Sequence, residues 1–252
     1  MQNSQPTLYA DKTKARPIWT AIIFALVYPT ALTWVYFIAL AGEPAAVQQT
    51  AYTVGKLIQF VFPLVWAWLY RRAAFGMPKP QLAGVLEGLV FGAAVGGGML
   101  LAYHFWLKPA DFFSAATEPI LAKLTGIGLM TPAAFIVLGV FYSLAHSLLE
   151  EYYWRWFVFT RLAETTRLPT AITVSSLGFM AHHVLVIGFY FGWTAPETWL
   201  FSLAVAIGGA VWAWLYHRSR SLVGPWLSHL LVDAAIFAVG YDLVFNRSVT
   251  PL

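Results

Sequence analysis

Long apolar runs separated by short polar breaks repeat along the whole chain. Seven of these runs come near the roughly 20 residues that a helix needs to cross the hydrocarbon core of a bilayer. They cover residues 18–41, 51–70, 82–106, 132–160, 170–191, 199–216 and 222–245. None shows the alternating ten-residue pattern of a membrane barrel, so the spans are expected to be helices. The predicted fold is all-α, a polytopic transmembrane helical bundle of seven spans. An eighth span would require residues 111–130 (DFFSAATEPILAKLTGIGLM) to cross. That stretch is too polar to do so and reads as an amphipathic interfacial segment. The first run is longer than the 7–15 residues of a signal-peptide core, so it is expected to remain as a span. No repeat or low-complexity tract divides the chain, so residues 1–252 are expected to form a single domain, with residues 1–17 as a polar tail.

Composition supports this pattern. The chain is 60% hydrophobic and 10% charged, against about 25% charged in ordinary globular proteins. It has no cysteine, which excludes disulfides, thiolate nucleophiles and thiolate metal ligands. A net charge of +4 could suggest nucleic acid, but the basic residues are scattered instead of patched, so no nucleic-acid partner is expected. They serve better as topology signals. The N-terminal tail and the even-numbered loops carry Lys12, Lys14, Arg16, Arg71, Arg72, Lys79, Arg161, Arg167, Arg218 and Arg220. The opposite side carries Lys108, Lys123 and Arg247. That asymmetry places the N-terminus in the cytoplasm and the seventh span's end outside. Aromatic residues at segment ends, among them Trp19, Trp68, Tyr70, Trp106, Tyr190, Trp193, Trp199 and Tyr216, resemble an interfacial belt. Gly92, Gly96, Gly97, Gly98, Gly208 and Gly209 are expected to let helices approach closely.

The informative residues are the ionisable ones inside the spans. At 1.5 Å rise per residue, Glu150 lies roughly 16 Å from the cytoplasmic end of the fourth span, and His183 roughly 21 Å into the fifth. On the seventh span, His229 and Asp233 lie roughly 12 and 18 Å in. Three spans thus bring ionisable groups to one layer, although a charged side chain there costs roughly 2.5–3.5 kcal/mol. Glu151 and Arg155 are spaced i, i+4 and are expected to neutralise each other. Glu150 points about 100° away from Glu151 and has His146 at i−4 as its nearest helical neighbour. His182 and His183 are adjacent, so only one of them is expected to enter the cluster. Lys56 and Glu87 lie close enough to segment ends to snorkel or to line a cavity.

Glu150-Glu151-x-x-x-Arg155, then Phe179-x-x-x-His183, then His229-x-x-x-Asp233 resemble the three-motif signature of the CPBP group. These are the CAAX-protease and bacteriocin-processing intramembrane endopeptidases, which include the type II CAAX prenyl endopeptidases. The resemblance covers residues 130–240 and implies peptide hydrolysis by activated water. It assigns Glu150 and His183 to the water, and His229 and Asp233 to the oxyanion. Glu151 and Arg155 become supporting residues, with His146 beside them. Asp233 departs from the amide found in prenyl-protease members. The group has often been labelled metalloprotease-like, and Glu150, His183, His229 and Asp233 could form a zinc site. There is no His-Glu-x-x-His pair, however, and a cofactor-free glutamate mechanism is the expectation. The implied partners are the lipid bilayer and a membrane-anchored protein or peptide, cleaved at a CAAX-type or other C-terminal sorting signal. The implied location is the bacterial inner membrane. A proton- or ion-coupled transporter could use the same cluster as a relay, but transporters often show internal repeats, and none is visible.

Overall fold

The computed structural model describes residues 12–70 and 81–246. Arg71, Arg72, Lys79 and Arg247 of the topology argument, with the tail before residue 12, lie outside the described residues. The described chain forms eight helices and no strand. Seven are long and apolar enough to cross a membrane: α1 (Ile18–Ala39), α2 (Ala45–Tyr70), α3 (Leu82–Leu107), α5 (Pro132–Thr165), α6 (Leu168–Phe191), α7 (Pro196–Ser219) and α8 (Val223–Phe245). The eighth, α4 (Ser114–Gly126), occupies the polar stretch and has only 13 residues, too few to cross. It buries Ala116, Thr117 and Leu124, and its Lys123 ammonium sits 4.0 Å from the ring centre of Tyr36 on α1.

Local signals explain where the helices begin and end. Thr131 caps α5 by accepting from the Ala134 amide, with Pro132 next in the chain, where a missing N–H leaves nothing unsatisfied. Pro169 and Pro196 likewise stand in the first turns of α6 and α7, there without a side-chain cap. Gly192 ends α6 at φ 97°, a conformation that favours glycine.

Large apolar side chains such as Val90, Val137 and Leu200 are exposed on the outer surface, where acyl chains would cover them. The aromatic belt is kept in part: Trp19, Trp68, Tyr70, Trp106, Trp193 and Trp199 are exposed, whereas Tyr190 and Tyr216 are half-buried. The core lies between α1, α5, α6 and α7. Tyr153, Trp154, Phe157, Val158 and Phe159 of α5 pack there on Ala21, Ile22 and Ala25, with Phe179, Trp212 and Leu215 also in the cluster.

The packing of α3 on α8 positions the seventh span. Gly84, Gly88, Gly92 and Gly96 recur every four residues along α3 and are all buried. A Cβ at Gly88 would collide with the Gly224 backbone, and one at Gly92 would lie 2.7 Å from Ser228 Cα. This close approach sets the rotation of the α8 segment that carries His229. Gly97 and Gly98 meet nothing, so the close packing expected of them is absent. Glu87 pairs with Arg218 at 3.0 Å at the exposed, Arg-rich end of the bundle, whereas Lys56 points inward between the rings of Tyr52 and Phe60.

Candidate active site

α5 is longer than its hydropathy suggests, running five residues beyond 160 to Thr165. It is also not a regular α-helix. Tyr142–His146 and Tyr152–Phe159 are π-helical, and between them lies one α-helical segment, Ser147–Glu151, which carries both carboxylates. Wide turns of this kind are frequent at functional sites. Thr160 Oγ1 donates to the Arg155 carbonyl at 2.9 Å, satisfying a group in this wide-turn region.

Glu151 and Arg155 pair as their spacing predicts, with Arg155 Nε 3.1 Å from Glu151 Oε2 and both side chains buried. The two atoms do not form a hydrogen bond, so this is an ion contact. Arg155 Nη2 donates to the Gly209 carbonyl of α7 at 3.3 Å, and its guanidinium lies over the rings of Phe179 and Trp212. A Cβ at Gly209 would sit 3.4 Å from that same nitrogen. The glycine therefore lets α7 bring its backbone oxygen to the arginine, which links three helices through one cation.

Glu151 has a second partner that the i, i+4 argument misses. Its Oε1 lies 2.9 Å from His229 Nδ1. A carboxylate only accepts, so this contact puts the hydrogen on Nδ1 and leaves Nε2 as the free atom of the ring. Nε2 faces Glu150 Oε2 at 3.7 Å and Asp233 Oδ1 at 3.6 Å. The ring is also stacked on Trp212, with centroids 4.1 Å apart, and Trp212 is itself fixed by donating to Ser228 Oγ at 2.8 Å. His229 is thus held on its edge by an ionic contact and on its face by an indole.

Glu150 is buried at 3% exposure among three imidazoles from three helices. Its oxygens lie 3.9 Å from His146 Nε2, 3.6 Å from His182 Nε2 and 3.7 Å from His229 Nε2. The separations are too long for direct hydrogen bonds and short enough for a bridging water. His183 Nδ1 lies 2.9 Å from the Phe179 carbonyl, which accepts, so its hydrogen is also on Nδ1 and its Nε2 is free. Phe179, four residues before His183, is the hub. Its ring contacts His182, His183, His229, Trp154 and Trp212.

One expectation is corrected here, because both neighbouring histidines of α6 enter the cluster. Their rings are 4.2 Å apart, and one donor atom each from Glu150, His182 and His183 all lie within 4.8 Å of one another. Residues about 100° apart on a helix diverge only if the partner lies off to one side. Glu150 instead faces the edge between them. His182 is further held by stacking on Trp154, with rings 5.7 Å apart and 5° from parallel. The three-residue set could hold a metal ion, and it differs from the set expected from sequence by including His182 in place of His229 and Asp233. Its chemistry fits such an ion. His183 presents Nε2 outward while Nδ1–H is fixed on a carbonyl, the outer contact that metal-ligating histidines use.

Beyond these residues lie three tyrosines that the sequence did not signal. Tyr142 of α5 lies 4.6 Å from His146 ring to ring. Tyr36 of α1 packs on Tyr52 of α2 at 4.5 Å. The first two helices therefore contribute to the surroundings of Glu150, although their apolar runs carry no motif.

Residues 132–235 match the model of a family described as type II CAAX prenyl endopeptidase, Rce1-like. The matched stretch starts at the first residue of α5 and ends two residues after Asp233, so every residue of the cluster from His146 onward lies within it. That description falls within the group that the three motifs resemble. No curated protein and no solved structure matches the chain.

Proposed function

We propose that the protein with this prenyl-endopeptidase stretch hydrolyses a peptide bond near the C-terminus of a membrane-anchored protein, with Glu150 as the base that activates water. The observation that carries the proposal is the buried convergence of Glu150, His182, His183 and His229 from three helices within the matched residues. A carboxylate surrounded by imidazoles at water-bridging distance is an arrangement suited to polarising a water molecule.

The water sits between Glu150 and His183 and hydrogen-bonds to the free Nε2 of the ring. Glu150 takes one proton as the oxygen forms its bond to the substrate carbonyl carbon. His229, in its imidazolium form, donates Nε2–H to the oxyanion that develops. Glu151 holds the opposite nitrogen of that ring, and Arg155 holds Glu151. Asp233 assists only while protonated, since an ionised carboxylate next to the oxyanion would repel it. The C–N bond then breaks, and Glu150 returns its proton to the leaving amine. A divalent metal such as zinc, when held by Glu150, His182 and His183, would act as a Lewis acid on the same water.

The substrates this reading favours are prenylated CAAX tails or other lipid-anchored C-terminal sorting signals. The enzyme would work in the inner membrane of a bacterium, with its Arg-rich end and N-terminus in the cytoplasm, as the distribution of basic residues supports. The test is cleavage of a farnesylated CAAX peptide by the full chain in proteoliposomes, followed by mass spectrometry. Cleavage should vanish in Glu150→Gln protein that keeps its unfolding temperature. Full activity in that variant would remove the reaction from this site. Chelator treatment and elemental analysis separate the two forms of water activation: activity that survives chelation in zinc-free protein supports glutamate alone.

A further inference from the structure

Lys56 is half-buried in the middle of α2 and pairs with no carboxylate among the described residues. Its ammonium lies 5.4 Å from the ring centre of Tyr52 and 5.5 Å from that of Phe60. Phe60 in turn lies 6.3 Å from His146, edge to face. The other cation near the cluster, Arg155, is committed to Glu151 and to the Gly209 carbonyl. A cation kept deep in an apolar helix has a partner or a use, and no carboxylate among the described residues is placed as its direct partner.

We infer that Lys56 is a specificity-determining residue that binds the free C-terminal carboxylate of the substrate. The inference rests on the protease reading and deepens it. A peptide bound for hydrolysis carries one backbone anion whatever its sequence, the carboxylate at its end. Beside Lys56 that carboxylate meets an ammonium and the aromatic walls of Tyr52 and Phe60. The path from Lys56 over Phe60 and His146 to Glu150 bounds the distance at about 17 Å, which an extended peptide of at most about five residues covers. The site would therefore cut close to a chain end and reject internal loops, which offer no carboxylate at that distance.

The experiment uses two farnesylated peptides of one sequence, one ending in a free acid and the other in an amide. Both are measured for binding to full-length Glu150→Gln protein by fluorescence polarisation, and for cleavage by the unmutated protein. The acid should bind at least about tenfold more tightly than the amide, since a charge-assisted contact is lost in the amide. Adding Lys56→Met should erase the difference, and Lys56→Arg should restore most of it. In the cleavage assay Lys56→Met should raise KM for the acid and spare kcat. Equal binding of acid and amide to protein that retains Lys56 overturns the inference, as does failure to bind either. If Lys56 is only a counter-ion for Glu150, Lys56→Met lowers kcat for both peptides alike, and that result also overturns it. Cleavage of both peptides at one rate sinks the carboxylate site and leaves the protease reading standing. No cleavage of either by the unmutated protein sinks the protease reading.

Discussion

Helix α8 carries two ionic clusters, and they behave as physical opposites. At its far end Asp242 accepts from Tyr103 at 2.6 Å and pairs with Lys108, which ties α8 to the end of α3. That pair is partly exposed, with Lys108 at 42% and Asp242 at 24%. Near the middle of the chain's depth, His229 meets Glu151, which pairs with Arg155, and all three side chains are at most 5% exposed. An exposed pair gains little because water competes for both charges, typically 0–1 kcal/mol. A buried set costs several kcal/mol of desolvation per ion, so it is poor as a device for stability alone. The outer cluster is a fastener. Under the proposed function the inner one holds an imidazole edge-on beside Glu150, which an apolar packing could not do.

The strongest way to test this contrast is at Glu150, the carboxylate beside the inner cluster. Glu150→Gln should lower cleavage by at least about a thousandfold, within the range expected when a general base is removed, with little change in thermal unfolding. His183→Ala should lower it by about a hundredfold, measured in the same assay, as the water loses one of its two holders. Glu151→Gln leaves Arg155 buried without its anion and should destabilise the protein by about 3–5 kcal/mol, read by denaturant unfolding in detergent. A double replacement, Glu151→Leu with Arg155→Met, removes both charges and should recover most of that stability, while activity stays lost because His229 has no partner on Nδ1. Recovery of activity in the double variant would show that the inner cluster is only a fastener too. Asp233→Asn keeps a donor at the oxyanion position and should change kcat by no more than about threefold, a small effect for a donor-preserving change. Smallest of all, Asp242→Asn should cost at most about 1 kcal/mol and leave cleavage unchanged.

Particular residues show how far the sequence reaches. The seven spans were legible because a bilayer demands a length and a composition, and both are written in one dimension. The convergence of Glu150, His183, His229 and Asp233 was legible as well. Depth along a helix follows from counting, and an ionisable group in an apolar run is conspicuous by its cost. The pairing of Glu151 with Arg155 followed from spacing alone.

What the sequence left open concerns rotation about the helix axis. In a soluble helix the polar face announces which side is outside. In a membrane both lipid and protein interior are apolar, so the pattern does not distinguish them. That both His182 and His183 reach Glu150 depends on how Trp154 and Phe179 stack across helices. Whether Lys56 turns inward depends on Tyr52 and Phe60. The two π-helical segments that bracket Ser147–Glu151 have no glycine or proline to mark them. Glu151 reaches His229 only because α3 lets α8 sit close at Gly88 and Gly92. Local sequence determined which helices exist and how deep each polar group lies, since both are one-dimensional quantities. Tertiary packing alone decided which groups face one another, because that depends on contacts between side chains far apart in the chain.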